Sequence, residues 1–99
     1  MVIRIVRITL RPEAVEDFLV LFDAAAPKIR AFDGCRHLEL WRETGLAHVM
    51  TSYSHWTQPI ALDRYRQSVL FKETWAKAKP LFGARPEATS WHVLRTVEP

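Results

Sequence analysis

Asparagine, cysteine and glycine are absent or scarce in this 99-residue chain, and each shortage excludes a kind of chemistry. There is no Asn, so a mechanism that needs a neutral side-chain amide must use Gln58 or Gln67. Cys35 is the only cysteine, which excludes an intramolecular disulfide and a cysteine-rich zinc site. A lone free cysteine fits a reducing compartment, so we expect the protein in the cytoplasm. The three glycines are isolated, which excludes a glycine-rich phosphate loop.

Long apolar runs and basic clusters are also missing. No stretch approaches the ~20 consecutive apolar residues of a membrane span. The first residues, Met1–Arg4, enter a strand pattern at once, which is not typical of a signal peptide. The net charge is +3 and Arg outnumbers Lys, but no five basic residues are consecutive. We therefore expect neither a membrane nor a nucleic acid as partner, and only a weak attraction for anionic ligands.

The composition fits one globular domain covering residues 1–99, with 48% hydrophobic and 25% charged residues. Val2 to Leu10 is rich in β-branched residues and predicts a first strand. Pro12 favours a helix start after it. An apolar stripe at helical spacing then predicts an amphipathic helix, through Val15, Phe18, Leu19, Phe22, Ala25, Ala26 and Ile29. Pro27 should kink or end this helix.

The second half of the chain predicts a hairpin, a helix and a last strand. The second strand should run from Cys35 to Glu43 and the third from Ala47 to Trp56, joined at Thr44-Gly45. Thr57 is predicted to be the N-cap of the second helix, with Pro59 in its first turn. This helix should extend over about 58–79, with a break near Gln67-Ser68, and the last strand should cover Ala88 to Val97.

The order β-α-β-β-α-β predicts an α+β fold of the ferredoxin-like sandwich type, with helices on one face of the sheet. The uncovered face of such a sheet is polar in a monomer. Here apolar residues point to both sides of every strand, for example Val6, Ile8 and Leu10 on one side of the first strand and Ile3 and Ile5 on the other. A second copy of the chain is the simplest cover for the other face, so we expect a homodimer.

Most side chains that could carry polar chemistry lack the spacing that such chemistry needs. His37 and Glu39 share one strand face, but no HExxH or comparable motif is present, so we expect no metal. Cys35 and His37 are too close in sequence to suggest a catalytic dyad. The carboxylates fall mainly on helix surfaces and turns, which argues against glycosidase-like acid–base catalysis.

Aromatic residues remain as the candidates for a functional site. Four Trp are many for 99 residues. A pocket for a planar molecule needs flat apolar walls and one or two polar groups. Tyr65 offers a hydroxyl, Trp indoles offer N–H donors, and Arg4 could contact an anionic or phenolate oxygen. The predicted walls are Val6, Phe22, Trp56, Phe71 and Trp75.

The sequence resembles the antibiotic biosynthesis monooxygenase family, in its quinol-monooxygenase-like branch, over roughly residues 2–97. The resemblance lies in Gly34-Cys35, Leu38-Glu39-Leu40, Ser54-His55-Trp56, Ala61-Leu62-x-x-Tyr65 and Ser68-x-x-Phe71. It implies a dimeric α+β barrel. It also implies a cofactor-independent monooxygenase that acts with O₂ on a quinol or polycyclic phenol. From the residues of the aromatic pocket themselves, we expect Tyr65 and Arg4 to be the catalytic ones.

The chain departs from the family pattern at a few positions. The family often carries Glu where Ser54 stands and His where Tyr65 stands. Haem-degrading relatives use Asn, Trp and His at positions that are Val6, Tyr65 and Trp75 here, so haem degradation is not implied.

Three alternatives share this fold and this aromatic pattern. The protein could be a non-catalytic small-molecule binder or a stress-associated dimer, which would bind a ligand without making product. It could be an isomerase or lyase of a phenolic compound, which would make product without consuming O₂. In a purely structural role every aromatic residue would belong to the core, and there would be no pocket.

Overall fold

The computed structural model describes all residues, 1–99, and contains four β-strands and three α-helices. The strands are β1 (Val2–Thr9), β2 (Cys35–Arg42), β3 (Val49–Trp56) and β4 (Glu87–Trp91). The helices are α1 (Val15–Arg30), α2 (Pro59–Arg66) and α3 (Val69–Ala78), with short 3₁₀ turns at Pro12–Ala14 and Lys79–Leu81. No helix has the length and apolarity needed to cross a bilayer.

The four strands form one antiparallel sheet in the order β2-β3-β1-β4. With the helices between β1 and β2 and between β3 and β4, this order is that of a ferredoxin-like α+β sandwich, which confirms the predicted fold class. The register places Arg4 opposite Ser54 and Ser90, and Val6 opposite Ser52 and Ala88. These residues lie on the side of the sheet that faces the helices.

Two separate clusters form the core between the sheet and the helices. One contains Ile8, Leu10, Phe18, Met50 and Ala78. The other contains Cys35, Trp56, Ala61 and Leu62. The first lies where α1 and α3 cross the sheet, and the second lies under α2. The helices supply four of these nine residues: Phe18, Ala61, Leu62 and Ala78.

Helix α1 continues through Pro27 to Arg30, one turn further than a strict helix break would allow. Proline removes the N–H that would donate to the carbonyl of Asp23. Both Pro27 and Asp23 are exposed, so water can solvate that carbonyl. Ile29, at the end of the helix, remains buried.

The predicted break at Gln67-Ser68 is confirmed and divides the second helix into α2 and α3. Ser68 is the N-cap of α3, and its Oγ accepts a hydrogen bond from the Phe71 N–H at 3.1 Å. The prediction that Thr57 caps α2 is wrong. Because Pro59 occupies the first helical position, the N-cap is Gln58, and the Thr57 N–H instead donates to the Gly34 carbonyl at 2.9 Å.

Strands β3 and β4 are shorter than predicted. β3 begins at Val49 rather than Ala47, because residues 47–48 belong to the turn of the hairpin. β4 ends at Trp91 rather than Val97, and residues 92–99 form no strand. The register explains this end, since Trp91 pairs with Ile3 and β1 begins at Val2, which leaves only one strand residue beyond this pair.

The face of the sheet away from the helices, which we call the open face, carries large apolar and aromatic side chains. Ile3 and Ile5 lie here because their neighbours Arg4 and Val6 point to the helix side. Trp41, which is 42% exposed, stacks on Tyr53 with ring centroids 4.4 Å apart, and Trp91 is 58% exposed. No element of this chain covers these residues.

We predict that Gly34→Ala destabilises the protein more than Gly45→Ala. Both glycines have positive φ, +90° and +87°, so alanine at either position carries backbone strain of about 1 kcal/mol. At Gly34 a new Cβ would also lie 2.4 Å from the Ala61 Cβ, whereas nothing lies within 4 Å at Gly45. Overlap with the start of α2 should cost at least about 1 kcal/mol more.

Urea unfolding of the two variants measures this difference. Equal losses in the free energy of unfolding would contradict a close packing of Gly34 on α2.

Candidate functional site

A cavity of about 300 Å³ lies between the helix-facing side of the sheet and the three helices. Its lining includes members of both core clusters, such as Ile8 and Phe18 from one and Trp56 and Leu62 from the other. Of the 20 lining residues 15 are hydrophobic, and the others are Arg4, Ser52, Ser54, Arg66 and Thr74. This size and composition are at the lower end of the range for small-molecule sites.

Small side chains on β3 and β4 create the space. Ser52 and Ser54 on β3 and Ala88 on β4 line the cavity beside Val6 on β1. At these positions a packed sheet would carry larger apolar residues that fill the layer between strands and helices. The two clusters therefore close the ends of the cavity, and the small residues form its floor.

A continuous series of aromatic rings forms one wall. Trp56 and Tyr65 stack with centroids 4.9 Å apart and an interplanar angle of 25°. Tyr65 meets Phe71 edge to face at 5.2 Å, and Phe71 stacks on Trp75 at 5.6 Å. The break between α2 and α3 turns the chain so that rings from both helices contact one another. Flat rings held by their neighbours give the wall a fixed shape.

Trp56 is the most deeply held member of this wall, with 1% of its surface exposed. Its indole N–H donates to the Ser54 Oγ at 3.0 Å. We expected Trp indoles to offer donors to a ligand, and for Trp56 this expectation is wrong because a neighbour on the same strand already accepts the bond. Trp56 can therefore contribute only an apolar surface.

Tyr65 offers a hydroxyl without a protein partner. Its ring lies between Trp56 and Phe71, and Phe32 packs against its edge at 5.5 Å. No other side chain or backbone group forms a hydrogen bond with the hydroxyl. Burial, with a smaller effect of Cys35, raises the pKa of Tyr65 to about 12. The phenol is therefore neutral at physiological pH and can act as a hydrogen-bond donor but not as a base.

Two arginines contribute positive charge to the lining. Arg4 on β1 donates to the Ser90 Oγ at 3.0 Å, which holds its guanidinium over the sheet. Arg66, in the last turn of α2, is exposed and lines the cavity at its opening. Partial burial and then the charge of Arg66 lower the pKa of Arg4, so the two groups act on each other. Arginine remains charged under such shifts.

No acid and no ordinary base lines the cavity. The lining contains no Asp, Glu, His or Cys, and its only titratable groups are Arg4, Tyr65 and Arg66. A proton acceptor that works near neutral pH is therefore missing from the cavity wall. The cavity can desolvate, orient and electrostatically stabilise a ligand, but it cannot remove a proton from it.

The structure brings all seven residues selected from sequence to this cavity. They are Arg4, Val6, Phe22, Trp56, Tyr65, Phe71 and Trp75. Sequence reasoning missed Arg66, Thr74 and the small residues of the floor. Ser52 and Ser54 share the strand parity of Trp56, which was the available signal.

The remaining polar candidates lie on the open face, away from the cavity. His37 Nε2 and Glu39 Oε2 are 2.5 Å apart, and the Trp41 indole N–H donates to Glu39 at 2.7 Å. The second bond and then the first hold the pKa of Glu39 below its usual value. No three His, Cys, Asp or Glu residues come together in a group that could hold a metal ion.

Cys35 and His37 do not form a dyad. The Cys35 Sγ lies 3.7 Å from the backbone oxygen of His37, and the thiol is buried against Trp56 in the core. Burial raises the pKa of the thiol, partly offset by its hydrogen bond to the His37 backbone and by Arg30. A buried thiol with a raised pKa is a poor nucleophile.

We predict that the Tyr65→Phe variant loses less unfolding free energy than wild type when the pH rises above about 10. In the unfolded chain Tyr65 ionises near pH 10, but in the folded chain only near pH 12. The stabilisation is therefore complete below about pH 10 and is lost as the pH rises to about 12, and its size is on the order of 2 kcal/mol. Urea unfolding from about pH 8 to 11.5 measures it.

Wild type should lose more unfolding free energy over this range than Tyr65→Phe. Tyr53→Phe keeps Tyr65 and should behave as wild type does. Parallel pH profiles for wild type and Tyr65→Phe would show that the Tyr65 phenol is not buried.

The structure is similar to several solved structures over nearly its whole length. A protein of Mycobacterium tuberculosis, Rv0793, is 27% identical with a TM-score of 0.87, covering 98% of both chains. A conserved protein of Methanosarcina mazei Go1 is 22% identical with a TM-score of 0.86, covering 92% of this chain and 91% of the other. A structure described as an antibiotic biosynthesis monooxygenase is 17% identical with a TM-score of 0.90, covering 96% of this chain and 100% of the other.

A search of curated proteins finds no match. The sequence model of one family, Antibiotic biosynthesis monooxygenase, matches residues 1–77. This range includes β1, the central hairpin and the whole aromatic wall from Trp56 to Trp75. Sequence, fold and cavity therefore agree, and the chain belongs to the antibiotic biosynthesis monooxygenase family.

Proposed function

We propose that this protein is a cofactor-independent monooxygenase that acts on a quinol or polycyclic phenol in the cavity between sheet and helices. The observation that carries the proposal is an apolar cavity with an aromatic wall, one free hydroxyl and positive charge at its edge. Membership of the family supports an oxygenation reaction. We place the enzyme in the cytoplasm, where the unpaired Cys35 would remain reduced.

In this proposal the substrate supplies the reducing power. An electron-rich carbon of its anion reacts with O₂, one oxygen atom becomes bonded to that carbon, and the other leaves as water. The carbon and its ring lose two hydrogens overall, so the substrate provides all electrons and protons and no external reductant is needed. The protein contributes orientation, exclusion of water and stabilisation of charge.

The residues of the cavity have separate roles in this reaction. The aromatic wall from Trp56 to Trp75 holds the planar ring system. The Tyr65 hydroxyl donates a hydrogen bond to a substrate oxygen, and Arg4 stabilises the anion. Since the lining contains no base, the substrate loses its proton to solvent as it enters the cavity, before water is excluded, helped by the positive potential of the arginines.

We further propose that two copies pair through their open faces. The support is the apolar surface formed by the half-buried Ile3 and Ile5 and the exposed Trp41 and Trp91, since large exposed patches of this kind mark interaction sites. Three further apolar side chains after β4 are 63–89% exposed and could extend the contact: Val93, Leu94 and Val97. The same patch on both subunits would form a symmetric interface.

A non-catalytic binder of aromatic ligands is the second candidate. The absence of a base from the cavity favours it, because binding needs no proton transfer. The same absence argues against an isomerase or lyase, which must move a proton on the substrate. A purely structural role is not supported, because the aromatic residues line a cavity.

We predict that Tyr65→Phe lowers kcat/KM for O₂ uptake by about tenfold, since it removes one hydrogen bond to the substrate. The assay uses chelator-treated protein with hydroquinones, naphthoquinols and anthrones, each corrected for its spontaneous oxidation. Tyr53→Phe is the matched control, because Tyr53 lies on the open face, and it should oxidise the substrate at the wild-type rate.

Unchanged turnover in Tyr65→Phe would remove this residue from the mechanism. Stabilisation of the protein by a quinol without O₂ uptake above background would favour the binder.

We predict that Ile5→Glu dissociates the dimer. Ile5 lies on central strand β1 and faces away from the cavity, so a buried carboxylate at the interface would be unpaired while the monomer remains folded. Val20→Glu, at a position that is 70% exposed on α1, is the control and should stay dimeric.

Sedimentation velocity measures the change. A wild-type protein that sediments as a monomer, or an Ile5→Glu variant that sediments as a dimer, would contradict pairing through the open face.

A further inference from the structure

We propose that the cavity selects aromatic ligands that carry a carboxylate, and that Arg66 and Arg4 together bind this carboxylate at the cavity opening. The inference deepens the proposed function by naming the substrate class. It rests on that function only in placing the ligand in the same cavity, and it holds whether or not the ligand is oxidised.

The first support is the charge balance of the cavity. Arg4 and Arg66 both line it, and no carboxylate does. Three ion pairs form elsewhere in the protein, through Arg7, Arg11 and His37, but neither Arg4 nor Arg66 takes part in one. The cavity therefore carries two positive charges without a counter-charge in the protein.

The second support is that the two guanidiniums act on one region. Both residues line the same cavity, and the charge of Arg66 contributes, after burial, to the lowered pKa of Arg4, so the two positive charges repel each other. The hydrogen bond to Ser90 holds Arg4 over the sheet despite this repulsion. An anion between the two groups would replace their repulsion with attraction. Electrostatics therefore favours anion binding independently of contacts with the aromatic wall.

The chemistry of the cavity favours a carboxylate over a phenolate as this anion. A carboxylate has two oxygens that can accept several hydrogen bonds, which suits two planar guanidinium groups. A carboxylic acid also arrives ionised at neutral pH, whereas a phenol needs a base. Since no base lines the cavity, a ligand that is already an anion matches it better.

The Tyr65 hydroxyl complements this arrangement. It lies on the aromatic wall and has no protein partner, so it can contact an oxygen on the ring system while the arginines hold the acid group. The ligand class is thus a fused or substituted aromatic ring with a carboxylate at one end and an oxygen substituent elsewhere. Arg66 is a specificity-determining residue in this arrangement, since it touches the part of the ligand that does not react.

Isothermal titration calorimetry with 2-naphthoate and 2-naphthamide tests the inference, because the two probes have nearly the same shape and differ in charge. Wild type should bind naphthoate at least about tenfold more tightly than naphthamide. Arg66→Gln should weaken naphthoate binding by about tenfold and leave naphthamide binding unchanged. Arg64→Gln, two residues away on the same helix and outside the cavity, should leave both unchanged.

Equal affinity of wild type for the two probes would overturn the inference. So would the absence of binding by either probe at millimolar concentration, or equal losses in Arg66→Gln and Arg64→Gln. Failure of the proposed function has a different signature, because naphthoate selectivity that depends on Arg66 can be present when no quinol supports O₂ uptake. Conversely, O₂ uptake without this selectivity would contradict the inferred recognition of a carboxylate and would support the proposed oxygenation.

Discussion

The burial of Trp56 is the contact on which the rest of the site depends. This residue ends β3, has 1% of its surface exposed and satisfies its only polar group through Ser54. Its ring supports Tyr65 by stacking, and Tyr65 in turn supports Phe71. A single anchored indole therefore fixes the first ring of the wall, the position of α2 and the orientation of the one free hydroxyl.

The cavity lowers the stability of the folded protein. A chain of 99 residues has a small core, and small residues on β3 and β4 leave unfilled space where packing would contribute most. Two compact clusters, one on each side, keep the layer closed around the space. In the proposed dimer the open face would supply the burial that the interior lacks, so pairing and possession of a cavity are linked physically.

The fold was largely predictable from sequence because periodicity and turn residues act locally. The stripe from Val15 to Ile29 and the hairpin turn at Thr44-Gly45 required no tertiary information. The end of β4 did require tertiary information, because it depends on which residues of β1 are available for pairing. The N-cap of α2 was misplaced for a local reason, since Pro59 fixed the helix start one residue later than Thr57 suggested.

The site was predictable in part. Large aromatic residues at helical spacing drew attention to the wall, and Arg4 drew attention as a cation on an apolar strand. The sequence did not predict the small residues of the floor, because a small residue indicates an empty volume only when its neighbours across the sheet are known. These residues are Ser52, Ser54 and Ala88. Arg66 escaped notice for a similar reason, since in sequence it is one of several exposed charges on α2.

Together these features describe an apolar cavity with an aromatic wall, two arginines and no base, and we propose that it orients and stabilises an electron-rich molecule without abstracting a proton. The most direct test of this account is mass spectrometry of the product formed from a reacting quinol or anthrone under ¹⁸O₂ by chelator-treated protein. The account predicts one ¹⁸O atom in each product molecule, with the second in water. A product that forms at the same rate without O₂, or that carries only oxygen from water, would contradict it.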